Sequence, residues 1–354
     1  NLERTITNSG TSGILPGMRK SFSPLRGTVH TLELDSTVLQ GNTPGDPTKR
    51  QVLVYTPPDY SPNAGYPLLV DLVGYTGSGH SHTNWKPFGY SLPERLDHLI
   101  TSGAMPPVVA AMPDCFTAYG GNQYINSSAT GRYMDYLCDE VVPLAERTFS
   151  CGGSPARRGV FGKSSGGYGA LIHGMQRPDV WGAIASHSGD AYFEYAYLAD
   201  FPGLLNQLRA HDESLTKFLD AIWAKEKLSH DEGMALMMVG MAAHYDPDPA
   251  APHGFHLPFD CHTGAIHWDR WEKWLPHDPV RMAAVAGGAL RTLKGIYIDC
   301  GSKDQFQLLW GARQVHRVLE QQQIEHAYHE FDDDHSDVDY RMEVSLPFLA
   351  RALS

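Results

Sequence analysis

The sequence predicts an α/β protein: a mostly parallel sheet of eight strands with helices on both faces. Two observations carry the prediction. Short β-prone runs recur along the chain, and the segments between the later runs place apolar residues at the helical period. In addition, the middle runs are almost wholly apolar, which parallel strands covered on both faces require.

Residues 1–27 are rich in Gly, Ser, Thr and Pro without a sustained period, and read as a loosely held N-terminal extension. Thr28–Leu34 and Gln51–Tyr55 alternate like strands near an edge. Leu68–Val73, Val108–Met112, Gly159–Phe161, Ala183–His187, Gly295–Asp299 and Ala327–Phe331 complete the set. Tyr133, Tyr136, Leu137, Val141 and Leu144 share one helical face, in a helix ending near Arg147. Gly167–Arg177, stopped by Pro178, Leu308–Gln323 and Val338–Ala352 give further helices. Helices between strands imply right-handed crossovers.

The stretch from His187 to Gly295 is far too long for one crossover. The expected division is therefore a core of residues 28–190 and 291–354 carrying a helical cap insertion at 191–290. Helical patterns lie near Leu204–Lys227 and Glu232–Ala243, followed by a portion rich in Pro, His and Trp. An insertion at the carboxyl end of a strand sits over the ligand crevice of such a sheet and can shape a pocket.

Composition narrows the function. A content of 42% hydrophobic and 19% charged residues is that of a globular chain, and a net charge of −12 disfavours nucleic acid and anionic membrane surfaces. No apolar run reaches the roughly 20 residues needed to cross a bilayer. A small-molecule partner fits better. The five cysteines, Cys115, Cys138, Cys151, Cys261 and Cys300, are scattered and include no C-x-x-C pair, which suggests reduced thiols and a cytoplasmic setting. A Cys138–Cys151 bridge stays open should a removed leader have directed the chain to an exported or periplasmic location.

The chemistry centres on Gly162-Lys163-Ser164-Ser165-Gly166, a G-x-S-x-G that follows the run Gly159–Phe161 and opens a helix. A strand turning this sharply into a helix strains the serine and lifts its hydroxyl clear, and larger neighbours than glycine would clash. The turn also aims the first helical amides at the site, so Ser165 N–H can stabilise an oxyanion. Serine is a poor nucleophile without a histidine base and an orienting acid. Asp304, in the turn after Gly295–Asp299, is the candidate acid, with Asp299 at the strand's end as its competitor. His335, between the last strand and the last helix, is the candidate base.

The second oxyanion donor is expected in the glycine-rich loop Val73–Gly79, at the amide of Tyr75 or its neighbour Gly74. Trp85, Trp268 and Trp271 are candidate substrate contacts, although tryptophans more often pack an insertion onto its core. His80 and His82 have no third ligand at a metal-binding spacing, and Asp332–Asp334 reads as a solvated loop, so neither metal nor cofactor is expected.

With these residues assembled, the chain resembles the putative esterase family of α/β-hydrolases, the group that holds esterase D (S-formylglutathione hydrolase), enterochelin esterases, feruloyl esterases and mycolyltransferases. The resemblance spans roughly residues 55–353. It rests on Gly162–Ala170, on His187-Ser188-Gly189, on Gly301–Phe306, on His335-Ser336, and on Gly120–Tyr124 near the pocket. The likeness implies the α/β-hydrolase fold, a Ser164–Asp304–His335 triad, Tyr75 at the oxyanion position, and Gln123 and Tyr124 as candidate substrate contacts. Two departures bear on the substrate: Val73-Gly74 stands where many members have His-Gly, and the insertion is longer than in compact members. The resulting expectation is a serine carboxylesterase acting through an acyl-enzyme on a small or medium ester. The alternatives are an acyltransferase using the same triad and an inactive binding protein of the same fold.

Overall fold

The structure, a computed structural model, describes residues 24–354. Most of the expected N-terminal extension therefore lies outside the described residues. Beside a short antiparallel pair, Asn126–Ser127 with Gly131–Arg132, the eight strands of the main sheet are β1 (Thr28–Asp35), β2 (Lys49–Thr56), β3 (Leu68–Leu72), β4 (Val109–Pro113), β5 (Arg158–Lys163), β6 (Ala183–His187), β7 (Gly295–Gly301) and β8 (Ala327–Phe331). They form one sheet in the order β1-β2-β4-β3-β5-β6-β7-β8. β1 and β2 pair antiparallel, as do β2 and β4, and every later pairing is parallel. The α/β-hydrolase architecture expected from the sequence is thus present.

Alternation along the strands divides the core in two. Leu53, Tyr55, Leu69, Ala110, Met112, Phe161, Ala183, Ala185 and Tyr297 face α1 (Leu92–Thr101) and the C-terminal helix Met342–Ala352. Their neighbours Val52, Val54, Leu68, Val70, Val109, Val160, Ile184, Ile296 and Ile298 belong to the opposite cluster. That cluster takes in α2 (Val142–Phe149), α3 (Ser165–Gln176) and, farther along the chain, Leu308–Gln321. Because side chains alternate, adjacent residues near a strand's end enter different environments, which later separates Asp299 from the groups around the cavity.

The long segment after β6 folds into α4 (Phe201–Arg209), α5 (Leu215–Trp223), α6 (His230–Tyr245), α7 (Trp268–Trp274) and α8 (Pro279–Val285). The single helical pattern expected over Leu204–Lys227 is two helices, because Ala210–Ser214 forms turns in which Asp212 and Glu213 take positive φ. Its aromatic residues continue the core: Phe193 and Tyr245 pack on Tyr168 of α3, and Phe201 meets Trp271 and Trp274 edge-on. α8 rests on α3 and on α9 (Leu308–Gln321). The chain ends in α10 (Met342–Ala352). The expected helix from Tyr133 is broken by a π-helical stretch, Tyr136–Val141, before α2. No helix among the described residues is long and apolar enough to cross a membrane. All five cysteines are free, so Cys138 and Cys151 are not bridged.

Candidate active site

Ser164 stands between β5 and α3 at φ 57° and ψ −125°, a strained pair for a non-glycine residue. The strain is imposed by packing. A Cβ at Gly166 would lie 1.7 Å from the Leu72 carbonyl oxygen, and one at Gly162 would lie 2.1 Å from the same atom. The end of β3 therefore presses on the turn so closely that only glycine fits on either side of Lys163–Ser165. The Ser164 amide donates to His187 O (2.9 Å) and its carbonyl accepts from Tyr168 N (2.8 Å), which fixes both ends of the turn.

Asp304 and His335 occupy loops beyond the carboxyl ends of β7 and β8. Each is only 7% exposed. His335 Nδ1 lies 2.8 Å from Asp304 Oδ2, while Asp304 Oδ1 accepts from the amides of Phe306 (2.9 Å) and Leu308 (3.4 Å). Gln305 Oε1 accepts from the His335 amide, Lys163 Nζ donates to its carbonyl, and the Phe306 ring meets the imidazole edge-on. Carboxylate and imidazole are thus held in one orientation, with Nδ1 committed to Asp304. Ser164 and His335 line the same cavity of about 440 Å³.

Tyr75 and Ser165 line this cavity, and the amide of neither makes a hydrogen bond among the described residues. Substitution of Val73-Gly74 for His-Gly does not leave their loop unsupported. Thr76 N donates to Gly120 O (2.9 Å), Tyr75 Oη to Tyr119 O (2.8 Å) and Tyr124 Oη to Val73 O (2.6 Å). The Tyr75 ring is clamped in a slot between Gly121 and Gly240, where an added Cβ would come within 2.6 Å and 1.8 Å of it.

None of the five expected substrate contacts lines the cavity. Gln123 is wholly buried behind it, donating through Nε2 to Ser165 Oγ (2.8 Å) and Asp190 Oδ2 (3.3 Å). Tyr124 braces the loop Val73–Gly79 through its bond to Val73 O. Trp271 is buried among Phe201 and Trp274, while Trp85 (58% exposed) and Trp268 (59% exposed) stand on the surface. Large aromatic rings serve this insertion as packing, and sequence cannot tell a ring that packs from one that lines a pocket. The insertion contributes Ala196, Tyr197, Asp200, Met234 and Met237 to the cavity instead, beside Asp190, which immediately precedes it. A signal existed for Asp190 alone, which follows the carboxyl end of β6 by three residues.

Asp299 is placed apart from the cavity. Its Oδ1 lies 2.6 Å from His187 Nδ1, and its Oδ2 accepts from Arg341 Nε (2.9 Å) and Tyr297 Oη (2.9 Å). Burial opposes its ionisation, yet His187 and Arg341 hold the carboxyl below its ordinary value. Opposite the insertion, His82 Nδ1 meets Asp71 Oδ2 at 2.6 Å. Burial opposes protonation of His82, but Asp71 raises its pKa above the ordinary imidazole value.

Comparison with known proteins bears on the fold and the family. A ferulic acid esterase superposes with a TM-score of 0.57 at 18% identity, covering 93% of this chain and all of that one. An S-formylglutathione hydrolase from Agrobacterium tumefaciens gives 0.56 at 16% identity over 96% of this chain and all of that one. FphF, a fluorophosphonate-binding serine hydrolase of Staphylococcus aureus, gives 0.57 at 13% identity over 93% and 99%. These likenesses establish the fold. By sequence, the uncharacterized protein YbbA of Bacillus subtilis (strain 168) is 28% identical over 156 residues, 42% of this chain, and the match spans 59% of that relative's length. The family described as "Putative esterase" matches residues 47–345, and the chain belongs to that family.

Proposed function

We propose that the chain hydrolyses small or medium carboxylic esters through a covalent acyl-enzyme. One observation carries the reading: a strained serine at a strand-to-helix turn shares a cavity with an imidazole whose Nδ1 is bonded to a buried carboxylate. In this mechanism Asp304 accepts a hydrogen bond from Nδ1–H of His335, which stays on the ring and leaves the unprotonated Nε2 as the base. His335 takes the Ser164 proton as the hydroxyl attacks the ester carbonyl. The amides of Tyr75 and Ser165 stabilise the oxyanion of the tetrahedral intermediate. His335 then protonates the departing alcohol, and water, activated by the same imidazole, releases the acid. A cavity of about 440 Å³ suits a small or medium ester. The insertion at 191–290 supplies one wall and is read as the part that selects among esters. The free thiols support a reducing compartment.

Hydrolysis of short p-nitrophenyl esters tests the reading. Wild-type protein turns them over and takes a fluorophosphonate label, and Ser164→Ala loses both. Undiminished turnover by the folded variant overturns the assignment.

A further inference from the structure

The walls of the cavity differ in charge. On the side formed by the loop after β3 and by the loop carrying His335, the basic groups lie among acids: His82 pairs with Asp71, Lys86 Nζ with Asp339, and Lys163, which donates to His335 O, adds to the field holding the Asp339 carboxyl down. The insertion side is different. Asp190 and Asp200 both line the cavity there, and neither forms an ion pair with a basic side chain among the described residues. The basic group whose field most favours the ionised Asp190 is His335, itself part of the proposed machinery.

Asp190 is only 5% exposed. Its Oδ2 accepts from Tyr197 Oη (2.9 Å), Gln123 Nε2 (3.3 Å) and Ser165 Oγ (3.5 Å), while Oδ1 meets no donor among the described residues. Asp200 is half-buried at the start of α4 and makes no capping bond. Burial pushes both carboxyls above their ordinary values, as expected where desolvation lacks a compensating cation. Desolvated carboxylates without a counter-ion are costly, and a positive charge brought into contact relieves that cost. Around them Ala196, Tyr197, Met234 and Met237 provide an aromatic face, thioethers and alkyl surface. Such surfaces accept the hydrocarbon body of an ammonium group while the carboxylates take its charge.

We propose that the preferred ester carries a cationic nitrogen, a protonated amine or a quaternary ammonium, bound by Asp190 and Asp200 on the insertion wall of the cavity. This rests on the ester-hydrolase reading and adds the substrate class. A neutral ester leaves both carboxylates uncompensated, and an anionic one is repelled by them.

The test compares kcat/KM for two isosteric pairs. One is the p-nitrophenyl ester of an acid ending in trimethylammonium against the ester in which tert-butyl replaces that group, which places the cation on the acyl side. The other is acetylthiocholine against its tert-butyl analogue, which places it on the alcohol side. The wild type is expected to favour the cation by about tenfold or more in one pair, the size expected of a charge-assisted contact. That ratio falls severalfold in Asp190→Asn and in Asp200→Asn. Asp200 is partly exposed, so its variant keeps the test alive if Asp190→Asn does not fold. Equal or reversed preference in both pairs, or a ratio unchanged in the folded variants, overturns the inference. If Ser164-dependent turnover of the neutral ester persists without cation preference, only this inference fails. If neutral turnover survives Ser164→Ala, the hydrolase reading fails.

Discussion

Two Ser-His-Asp constellations lie in this chain. In one, His335 and Asp304 are 2.8 Å apart beside Ser164; in the other, His187 lies 2.6 Å from Asp299 and 2.8 Å from Ser345 Oγ. Judged by residue type and hydrogen bonding, the second is the more complete set. Its position in the sheet separates it from chemistry. His187 and Asp299 are register partners inside β6 and β7, on the face covered by α10, and Ser345 belongs to that helix. All three are buried, and none borders the cavity. Asp304 and His335 sit a few residues farther on, past the strand ends, where loops reach the crevice. Ser164 is also strained at φ 57°, whereas Ser345 is an ordinary helical residue. Hydrogen-bonded geometry alone does not make a triad; access to a substrate and an exposed nucleophile do.

Exchanging the serines tests this contrast most severely. Ser164→Ala is expected to lower kcat for p-nitrophenyl esters by at least about a thousandfold, as loss of a nucleophile does in triad enzymes. Ser345→Ala keeps the rate and costs about 1–3 kcal/mol of stability, the range for an abandoned buried partner, seen as a lower urea midpoint. A rate loss in Ser345→Ala comparable to that in Ser164→Ala would make the buried set functional.

The acids are expected to diverge in the same sense. Asp304→Asn should lose activity by roughly 10⁴-fold while unfolding close to wild type. Asp299→Asn strips charge from a buried network with His187 and Arg341 and should cost about 3–5 kcal/mol, while protein that remains folded stays active. Assay and denaturant titration of both variants would show whether the two effects separate.

Acid should reveal the buried histidines through stability. Burial pushes His173, His244 and His277 down to about 4. Their folded-state values lie below the unfolded imidazole value of about 6.5, so between the two the unfolded chain binds more protons. Stability is therefore full above about pH 6.5 and declines as pH falls toward 4, by on the order of 3 kcal/mol per histidine. Urea midpoints measured from pH 8 to pH 4 check this, and a flat profile contradicts it.

The smallest effect is expected behind the oxyanion loop. Tyr75→Phe removes the bond to Tyr119 O but keeps the ring in its glycine slot. A loss of about 1 kcal/mol, roughly fivefold, is expected, falling on kcat more than on KM if the loop aims its amide at the transition state.

Much of this was legible beforehand. The strand runs appear within two residues of their expected ends, because apolar runs between turns have few other ways to be buried. Ser164 was marked by glycines that the Leu72 carbonyl makes obligatory. Asp304 was favoured over Asp299 by its place after the strand, Asp299 standing at the strand's expected end, but only the alternation of β7 and the placement of α10 assign Asp299 to the core. Gln123 and Tyr124 were visible as special residues, but whether they face substrate or brace the residues that do depends on contacts with Ser165 and Val73, distant in sequence.

Local order along the chain, set by hydrophobic periodicity and the steric needs of a tight turn, was thus determined by the sequence itself: the sheet, the turn at Ser164 and the loops bearing Asp304 and His335. The tertiary structure alone decided which polar groups share a cavity. Asp190, Asp200, Met234 and Met237 come from segments whose spacing carries no common period, and only the packing of the long insertion against α3 and the sheet brings them opposite Ser164.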